Sequence, residues 1–173
     1  MFTRASAHRF LVGLIVSVTA AVVFAASPHY KHGGQPVCSL SGTVNGVTTV
    51  TCSSGVVTGL GNFDVQVSIS FTASQGQLCH NKGNPDNIVP GQNPAIGTGG
   101  GGVSIPAGDI KNGNLIVPSI SGTATITAGT ADTAGCPNDN WTVTLSGPIT
   151  VSGGSYTFQT PPGTTIASLS FTF

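Results

Sequence analysis

Apolar and polar residues alternate in several stretches of this sequence, the clearest of which begins at residue 63, and this pattern predicts strands rather than helices. In the clearest stretch, from Phe63 to Ala73, every second residue is apolar and Asp, Gln, Ser or Thr stands between. Side chains of a β-strand point alternately to the two sides of its sheet, so this segment has one buried face and one wet face. After the first 26 residues the sequence has no 3.6-residue apolar stripe long enough for a helix. The sequence therefore predicts an all-β protein.

Shorter alternating stretches at 120–128, 141–151 and 167–173 predict further strands. Gly147-Pro148 interrupts one of them, which predicts a bulge, a bend or an edge there, because proline cannot donate a ladder hydrogen bond. Turn signals divide the strands at short intervals, as in an immunoglobulin-like or related antiparallel β-sandwich of about 8–9 strands. These turn signals are Asn45-Gly46, Lys111-Asn112-Gly113-Asn114, Ser152-Gly153-Gly154-Ser155 and Pro161-Pro162-Gly163.

Between Cys79 and Val103 the alternation stops. This stretch passes through polar and Gly/Pro-rich clusters into four consecutive glycines, Gly99 to Gly102. The glycine run lacks the Lys-Ser/Thr pair and the following helix of a phosphate-binding loop. It therefore predicts a flexible connector within a long loop.

The N-terminal residues have the order of an export signal. Arg4, His8 and Arg9 form a basic lead, and an apolar run follows and ends in small residues near Ala25. That run is shorter than the ~20 residues of a spanning helix, which favours a cleaved signal peptide over residues 1–26, with an uncleaved anchor as the alternative. We expect a flexible N-terminal segment at 27–36, a single sandwich domain at 37–173, and no membrane span after cleavage.

Four cysteines follow the signal: Cys38, Cys52, Cys79 and Cys136. An even count in an exported chain predicts two disulfides, and the sequence has no Cys-x-x-Cys spacing to favour a metal site. Of the three possible connectivities we favour Cys38 with Cys52, across the predicted hairpin, and Cys79 with Cys136. A strict two-residue hairpin would oppose residue 38 to residue 53, so the first bridge requires a bulge or a longer loop.

Charge is scarce after residue 26, where three lysines stand against five aspartates and glutamate is absent. No basic stripe is present to neutralise phosphates, which argues against a nucleic-acid partner. Hydroxyl-rich strand faces with little charge favour contact with polysaccharide, matrix or another surface protein, and uncharged strands favour self-association. The sequence thus predicts a secreted, extracellular or cell-wall-associated protein with a non-catalytic binding or structural role.

Chemistry-bearing residues are few, and no cofactor is predicted. An enzyme would need a site built from loops around His80, Asp86 and Asp139, because no nucleophile elbow occurs. Asp86, Asp132 and Asp139 are weak candidates for calcium ligands, with ordinary Asx turns as the competing interpretation. His29 and His32 are weak candidates for a copper-binding tail.

Several short motifs together resemble a group of small secreted β proteins of filamentous actinobacteria and fungi. The resemblance implies an immunoglobulin-like or related sandwich with a Cys79–Cys136 bridge and no established activity. The additional pair, Cys38 and Cys52, departs from the pattern of that group. The motifs that carry the resemblance are Ser27-Pro28-His29, Gly59-Leu60-Gly61-Asn62, Cys79 with its Asn/Gly/Pro-rich continuation, Lys111-Asn112-Gly113 and Cys136-Pro137.

Overall fold

A computed structural model describes residues 27–44 and 46–173. The predicted signal peptide, 1–26, and Asn45 of the predicted hairpin turn lie outside the described residues. Within them the chain forms eleven strands, a short 3-10 turn at Ala107–Asp109 and one four-residue helix, α1 (Ala131–Ala134). The strands are β1 (His29–Tyr30), β2 (Cys38–Val44), β3 (Val47–Cys52), β4 (Gly55–Thr58), β5 (Val65–Asn81), β6 (Asn84–Pro90), β7 (Ala95–Ile105), β8 (Leu115–Val117), β9 (Ile120–Thr125), β10 (Trp141–Gln159) and β11 (Thr165–Thr172).

The strands form two antiparallel sheets. The large sheet has the order β11-β10-β5-β7-β9-β3-β2, with β6 paired to one end of β5, and the small sheet has the order β1-β4-β8. Buried side chains from both sheets form one apolar cluster, which gives a sandwich-like fold. The predicted all-β antiparallel class is confirmed, with more strands than the predicted 8–9. An immunoglobulin-like topology stays a prediction.

A long antiparallel ladder between β5 and β10 organises the large sheet. The two strands pair from Asn81 opposite Trp141 to Gln66 opposite Gln159. Gly147 and Pro148 have no partners in this ladder, so the predicted interruption is a bulge. The predicted turn at Ser152–Ser155 is wrong, because these residues continue β10 with only a register shift between Val151 and Gly153.

The β2–β3 hairpin places Cys38 directly opposite Cys52, with a register shift between Ser41 and Val44. This irregularity is the one that the predicted bridge required. Both predicted disulfides form, Cys38–Cys52 and Cys79–Cys136. The second bridge belongs to a small separate core, in which Cys79 packs with Ala131 and Trp141.

The glycine run is part of the sheet, and its interpretation as a flexible connector is wrong. Residues 95–105 form β7, which pairs with β5 along its whole length and with β9 at Gly99 and Gly100. The glycines permit a close approach: a Cβ on Gly101 would collide with the Ser121 carbonyl, and a Cβ on Gly99 with the Phe71 ring. Side chains at these positions would push the strands apart.

The N-terminal segment 27–36 lies against the domain rather than extending from it. His29 and Tyr30 pair with Thr58 and Val57, and the Lys31 amide donates to the Val56 carbonyl. The Tyr30 ring packs edge-on against Phe158. The folded unit in this structure therefore begins before residue 37.

Two further turns agree with their sequence signals. Lys111 and Asn114 bond to each other across Asn112 and Gly113, whose φ angles are 51° and 73°. Both positive angles suit an Asn-Gly pair in a type I′ turn. The Pro161-Pro162-Gly163 signal closes the β10–β11 hairpin. None of the described helices is long and apolar enough to cross a membrane.

Candidate functional site

The three residues proposed for a loop-built site lie apart in local surroundings. His80 is half-buried in β5, and its Nε2 lies 2.8 Å from the Thr144 hydroxyl. Asp86 is exposed on β6, while Asp139 lies in the loop before β10 and accepts the Lys82 ammonium through its backbone oxygen. The cavity beside Asp139, of about 460 Å³, is lined by neither His80 nor Asp86. The structure therefore does not bring the predicted trio together.

The three aspartates proposed as calcium ligands also lie in two separate places. Asp132 and Asp139 line one cavity together with Lys82, whereas Asp86 lies on β6 outside it. Nearby amide side chains bond to the backbone, since Asn138 Oδ1 accepts the Asn140 amide and Asn81 Oδ1 accepts the Gly83 amide. Within residues 27–44 and 46–173, no three His, Cys, Asp or Glu side chains gather as a metal site would require.

The copper candidates flank a separate cavity of about 730 Å³, which both His29 and His32 line. The ring of His29 is already engaged: Nδ1 lies 2.8 Å from the Ser27 carbonyl and Nε2 lies 3.1 Å from the Thr58 hydroxyl. These contacts hold His29 against the small sheet.

A largely apolar cavity lies where β7 ends beside β8. It has a volume of about 540 Å³, and Asp109 and Lys111 stand at its rim. The Lys111 ammonium donates to the Gly108 carbonyl at 2.6 Å. The remaining lining residues are Val103, Ser104, Ile105, Pro106, Asn114, Leu115, Ile116 and Pro118.

A more extensive feature covers the outer face of the large sheet. The pairing registers place seven small residues opposite one another across all seven strands of the main sheet order, and six of the seven carry hydroxyls. Each residue is exposed or half-buried wherever its side chain is described. Strands lie ~4.8 Å apart, so this row spans about 29 Å. In sheet order the row is Ser41, Thr49, Thr123, Gly100, Ser70, Ser155 and Ser170.

A second set of mostly hydroxyl-bearing residues lies beside the first row, and each member is two residues away from the first-row residue on the same strand. On one side of β7, Ser39 lies opposite Thr51 and Thr51 opposite Ser121. On the other side, the set continues from Gly102 of β7: Ser68 lies opposite Gly102, Thr157 opposite Ser68, and Ser168 opposite Thr157. We call the surface formed by the two sets the hydroxyl face.

Cross-strand hydrogen bonds hold several of these hydroxyls in place. The Ser70 and Ser155 oxygens are 3.0 Å apart, and those of Thr51 and Ser121 are 2.8 Å apart. The Ser41 hydroxyl donates to the Thr49 carbonyl. Each hydroxyl has one donor and two acceptor positions, so groups paired in this way keep bonding capacity for a ligand.

The hydroxyl face carries no charge. Strands β2, β3, β5, β7, β9, β10 and β11 contain no Lys, Arg, Asp or Glu. The charged side chains of the described residues lie instead in turns, in loops, in the short helix and on β6. Because ionic groups are confined to those places, the face can contact a partner only through hydrogen bonds and van der Waals packing.

Glycines interrupt the hydroxyls along β7. Gly100 and Gly102 are exposed on the outer side of that strand, where they leave the backbone uncovered. Next to them, Ser70, Thr72 and Thr98 line a shallow depression of about 340 Å³. Sequence reasoning missed this feature because the glycines were assigned to a loop, although the flanking Ser and Thr positions were identified as outward-facing.

Under the opposite face of the same sheet lie two buried tyrosine hydroxyls, those of Tyr30 and Tyr156, although the Tyr30 side chain as a whole is half-buried. Burial raises the pKa of Tyr30 to about 12. Burial, and then the proximity of Tyr30, raise the pKa of Tyr156 further. Neither hydroxyl has a hydrogen-bond partner among the described residues. The pair is a feature of the core. Trp141 is also buried, in the small core around Cys79.

Comparisons of the chain with protein-family models, curated proteins and solved structures find no match. The resemblance to small secreted β proteins therefore stays a prediction.

Proposed function

We propose that this protein is a secreted, extracellular or cell-wall-associated binding protein without catalysis, and that its hydroxyl face binds a neutral polysaccharide. The observation that carries the proposal is the charge-free hydroxyl row across seven strands, from Ser41 to Ser170. A neutral sugar polymer presents the complementary groups, because its hydroxyls both donate and accept hydrogen bonds. A charged partner would find no counter-charge on this face.

Rigidity supports the same function. The row lies on strands of one continuous sheet, and pairs such as Ser70 with Ser155 already hold each other in position. Side chains that are ordered before binding lose less conformational entropy when a ligand arrives. Short serine and threonine side chains also have few rotamers to lose. An extended polymer can therefore collect many weak contacts at low entropic cost.

Secretion is supported by the basic and apolar order of residues 1–26 and by the two disulfides, which persist in oxidising compartments. It is tested by intact-mass measurement of protein recovered from culture medium. We expect a mature N-terminus near Ala26 or Ser27. Recovery only from the cell interior, with an intact leader and free thiols, would contradict export.

Binding is tested by co-sedimentation with insoluble cellulose, chitin and β-1,3-glucan, with heparin resin as the anionic comparison. We expect retention on at least one neutral polymer. This retention should be unchanged at about 1 M salt, because screening at that ionic strength weakens contacts between exposed charges. Heparin should retain no protein.

Thr123→Glu places a charge in the middle of the hydroxyl row, where Thr123 is exposed. We expect at least a tenfold loss of polysaccharide binding. The matched control is Thr164→Glu, which adds the same charge to the exposed turn after β10 and should bind normally. Equal binding by wild type and Thr123→Glu, or no binding to any neutral polymer, would refute the proposed function.

A further inference from the structure

The last strand of the large sheet, β11, has an open edge. Over Thr165–Thr172 it pairs with β10 on one side, and no described residue pairs with the other side. It is eight residues long and contains neither a charged residue nor proline. Natural sheets protect such edges because the unpaired amides and carbonyls recruit another strand.

The other edges of the described sheet carry the usual protections. β6 contains a proline near each of its ends, Pro85 and Pro90, and an exposed aspartate, Asp86. The half of β10 that extends beyond β11 is interrupted by Gly147 and Pro148. β2 is irregular near its tip, and the adjoining Gly46 lies against Leu145 of β10. Among the described strands, β11 therefore offers the longest edge without charge or proline, and its one register shift lies at its start, where Phe158 pairs with Ala167 and Gln159 with Thr165.

Hydrogen bonds at the hairpin show which groups of β11 face outward. The Thr160 amide donates to the Thr164 carbonyl, and alternation along β10 then directs the backbone groups of Phe158, Tyr156 and Gly154 toward β11. Their partners are Ala167, Leu169 and Phe171. The amides and carbonyls of the intervening residues, Ser168, Ser170 and Thr172, consequently point away from the sheet.

The inner side of β11 is also incompletely covered. Ile166, Leu169 and Phe171 pack on the core but remain half-exposed. Phe173 is 47% exposed, and its ring lies 5.4 Å from that of Phe171. A strand added beside β11 would shield this apolar row while it paired the backbone.

We propose that a second copy of this chain adds to the sheet through β11, antiparallel and around a two-fold axis at Leu169. In this register Ser168 lies opposite Ser170 of the second copy, and the two Leu169 side chains meet on the inner side. In this register the outer-face residues of one copy lie opposite outer-face residues of the other, and inner-face residues lie opposite inner-face residues. No charged side chain lies on either edge to repel the other copy.

The pairing also extends the hydroxyl face. The row that ends at Ser170 continues into Ser168 of the second copy, then through that copy's own sheet. A dimer therefore presents about twice the length of hydroxyl row of one chain. This self-association does not depend on the ligand proposed for the face.

Sedimentation velocity over a concentration series tests the interface. We expect a concentration-dependent dimer, since an isologous contact closes after two copies. The double substitution Ser168→Lys with Ser170→Lys places like charges opposite each other and should raise the dimer dissociation constant at least tenfold, with the Tm retained. Ser168→Ala with Ser170→Ala keeps the backbone groups and should dimerise as wild type does.

Charge reversal makes the test specific for the register. Ser168→Asp with Ser170→Asp should also be monomeric at concentrations where wild type dimerises, and an equimolar mixture with the lysine variant should restore a dimer. A wild-type monomer at every concentration, a dimer insensitive to the lysines, a mixture that stays monomeric, or an open-ended polymer would each overturn the proposal. The Thr123→Glu variant should dimerise normally, which separates this interface from the polysaccharide site.

Discussion

The two faces of the large sheet are built from the same strands but differ in burial and in composition. Along β5, Val65, Val67 and Ile69 are buried, while Ser68 and Ser70, on the other side, are half-buried and exposed. The inner face is apolar and decides whether the chain folds. The outer face is neutral and hydroxyl-bearing, and its substitution should change binding with little effect on stability. If the proposed function holds, a single alternating pattern separates the residues for folding from those for binding.

The largest expected effect is on the inner face. Phe158 is fully buried and packs edge-on with Tyr30. Phe158→Ala should lower the free energy of unfolding by about 3–5 kcal/mol, because it leaves a cavity in the core. The adjacent outward residue gives a matched control, since Thr157→Ala should change stability by no more than about 0.5 kcal/mol. Urea denaturation of both variants measures the contrast, and similar losses would contradict the division between the faces.

A smaller effect is expected where the inner face holds a buried polar side chain. Gln77, 4% exposed, donates to the Asn93 carbonyl and accepts the Gly129 amide. Gln77→Leu removes both bonds and should cost about 1–3 kcal/mol. Gln75→Leu, two residues away, removes only one hydrogen bond, to the Gly147 carbonyl, and it also removes an Oε1 that has no partner. The loss in free energy of unfolding should therefore be smaller than for Gln77→Leu. Chemical denaturation that ranks Gln75→Leu as the more harmful change would show that Gln77 does not anchor these loops.

The buried hydroxyls of Tyr30 and Tyr156 should make stability depend on pH in the alkaline range. The pKa of Tyr30 in the folded protein is about 12, above the value of about 10 for an unfolded tyrosine. The unfolded chain therefore releases this proton first, and stability should be constant below about pH 10 and fall between about pH 10 and 12. Tyr30→Phe should reduce this dependence without abolishing it, because the pKa of Tyr156 is raised as well. Thermal unfolding across the range measures it, and an unchanged slope in the variant would exclude Tyr30 as the source.

The smallest stability effect is expected on the hydroxyl face itself. Ser70→Ala combined with Ser155→Ala removes an exposed hydroxyl pair and should change stability by less than about 0.5 kcal/mol. Polysaccharide retention should nevertheless weaken several-fold, because two groups in the middle of the row are lost. A Tm shift without a change in retention would reverse the roles assigned to the faces.

The alternation of residues 65–73 was sufficient to predict the class and the facing of β5, because burial on one side of a strand leaves a direct trace in sequence. Phe63, the first apolar residue of the predicted stretch, lies before β5 and is 57% exposed. The local sequence at Gly147-Pro148 predicted a bulge, a bend or an edge, and the structure has a bulge. The even number of cysteines predicted two disulfides, and the connectivity that we favoured is confirmed. The assembled hydroxyl row was not, since it depends on registers between strands distant in sequence, such as Thr123 with Gly100.

The glycine run shows where local propensity misleads. Four glycines favour a loop on entropic grounds, yet tertiary contacts at Gly99 and Gly101 exclude any side chain. Segment 27–36 was likewise predicted to be flexible because its polar composition does not reveal the pairing of β1 with β4. In both places the deciding neighbour is remote in sequence.

The central claim is that the outer face is the binding surface, and amide chemical-shift mapping tests it most directly. A soluble oligosaccharide of whichever neutral polymer retains the protein would be titrated into isotope-labelled protein. The account predicts that the perturbed amides cluster around Ser70, Thr123 and Ser155. Shifts confined to the cavity of Lys82, Asp132 and Asp139, with the hydroxyl face unaffected, would contradict it.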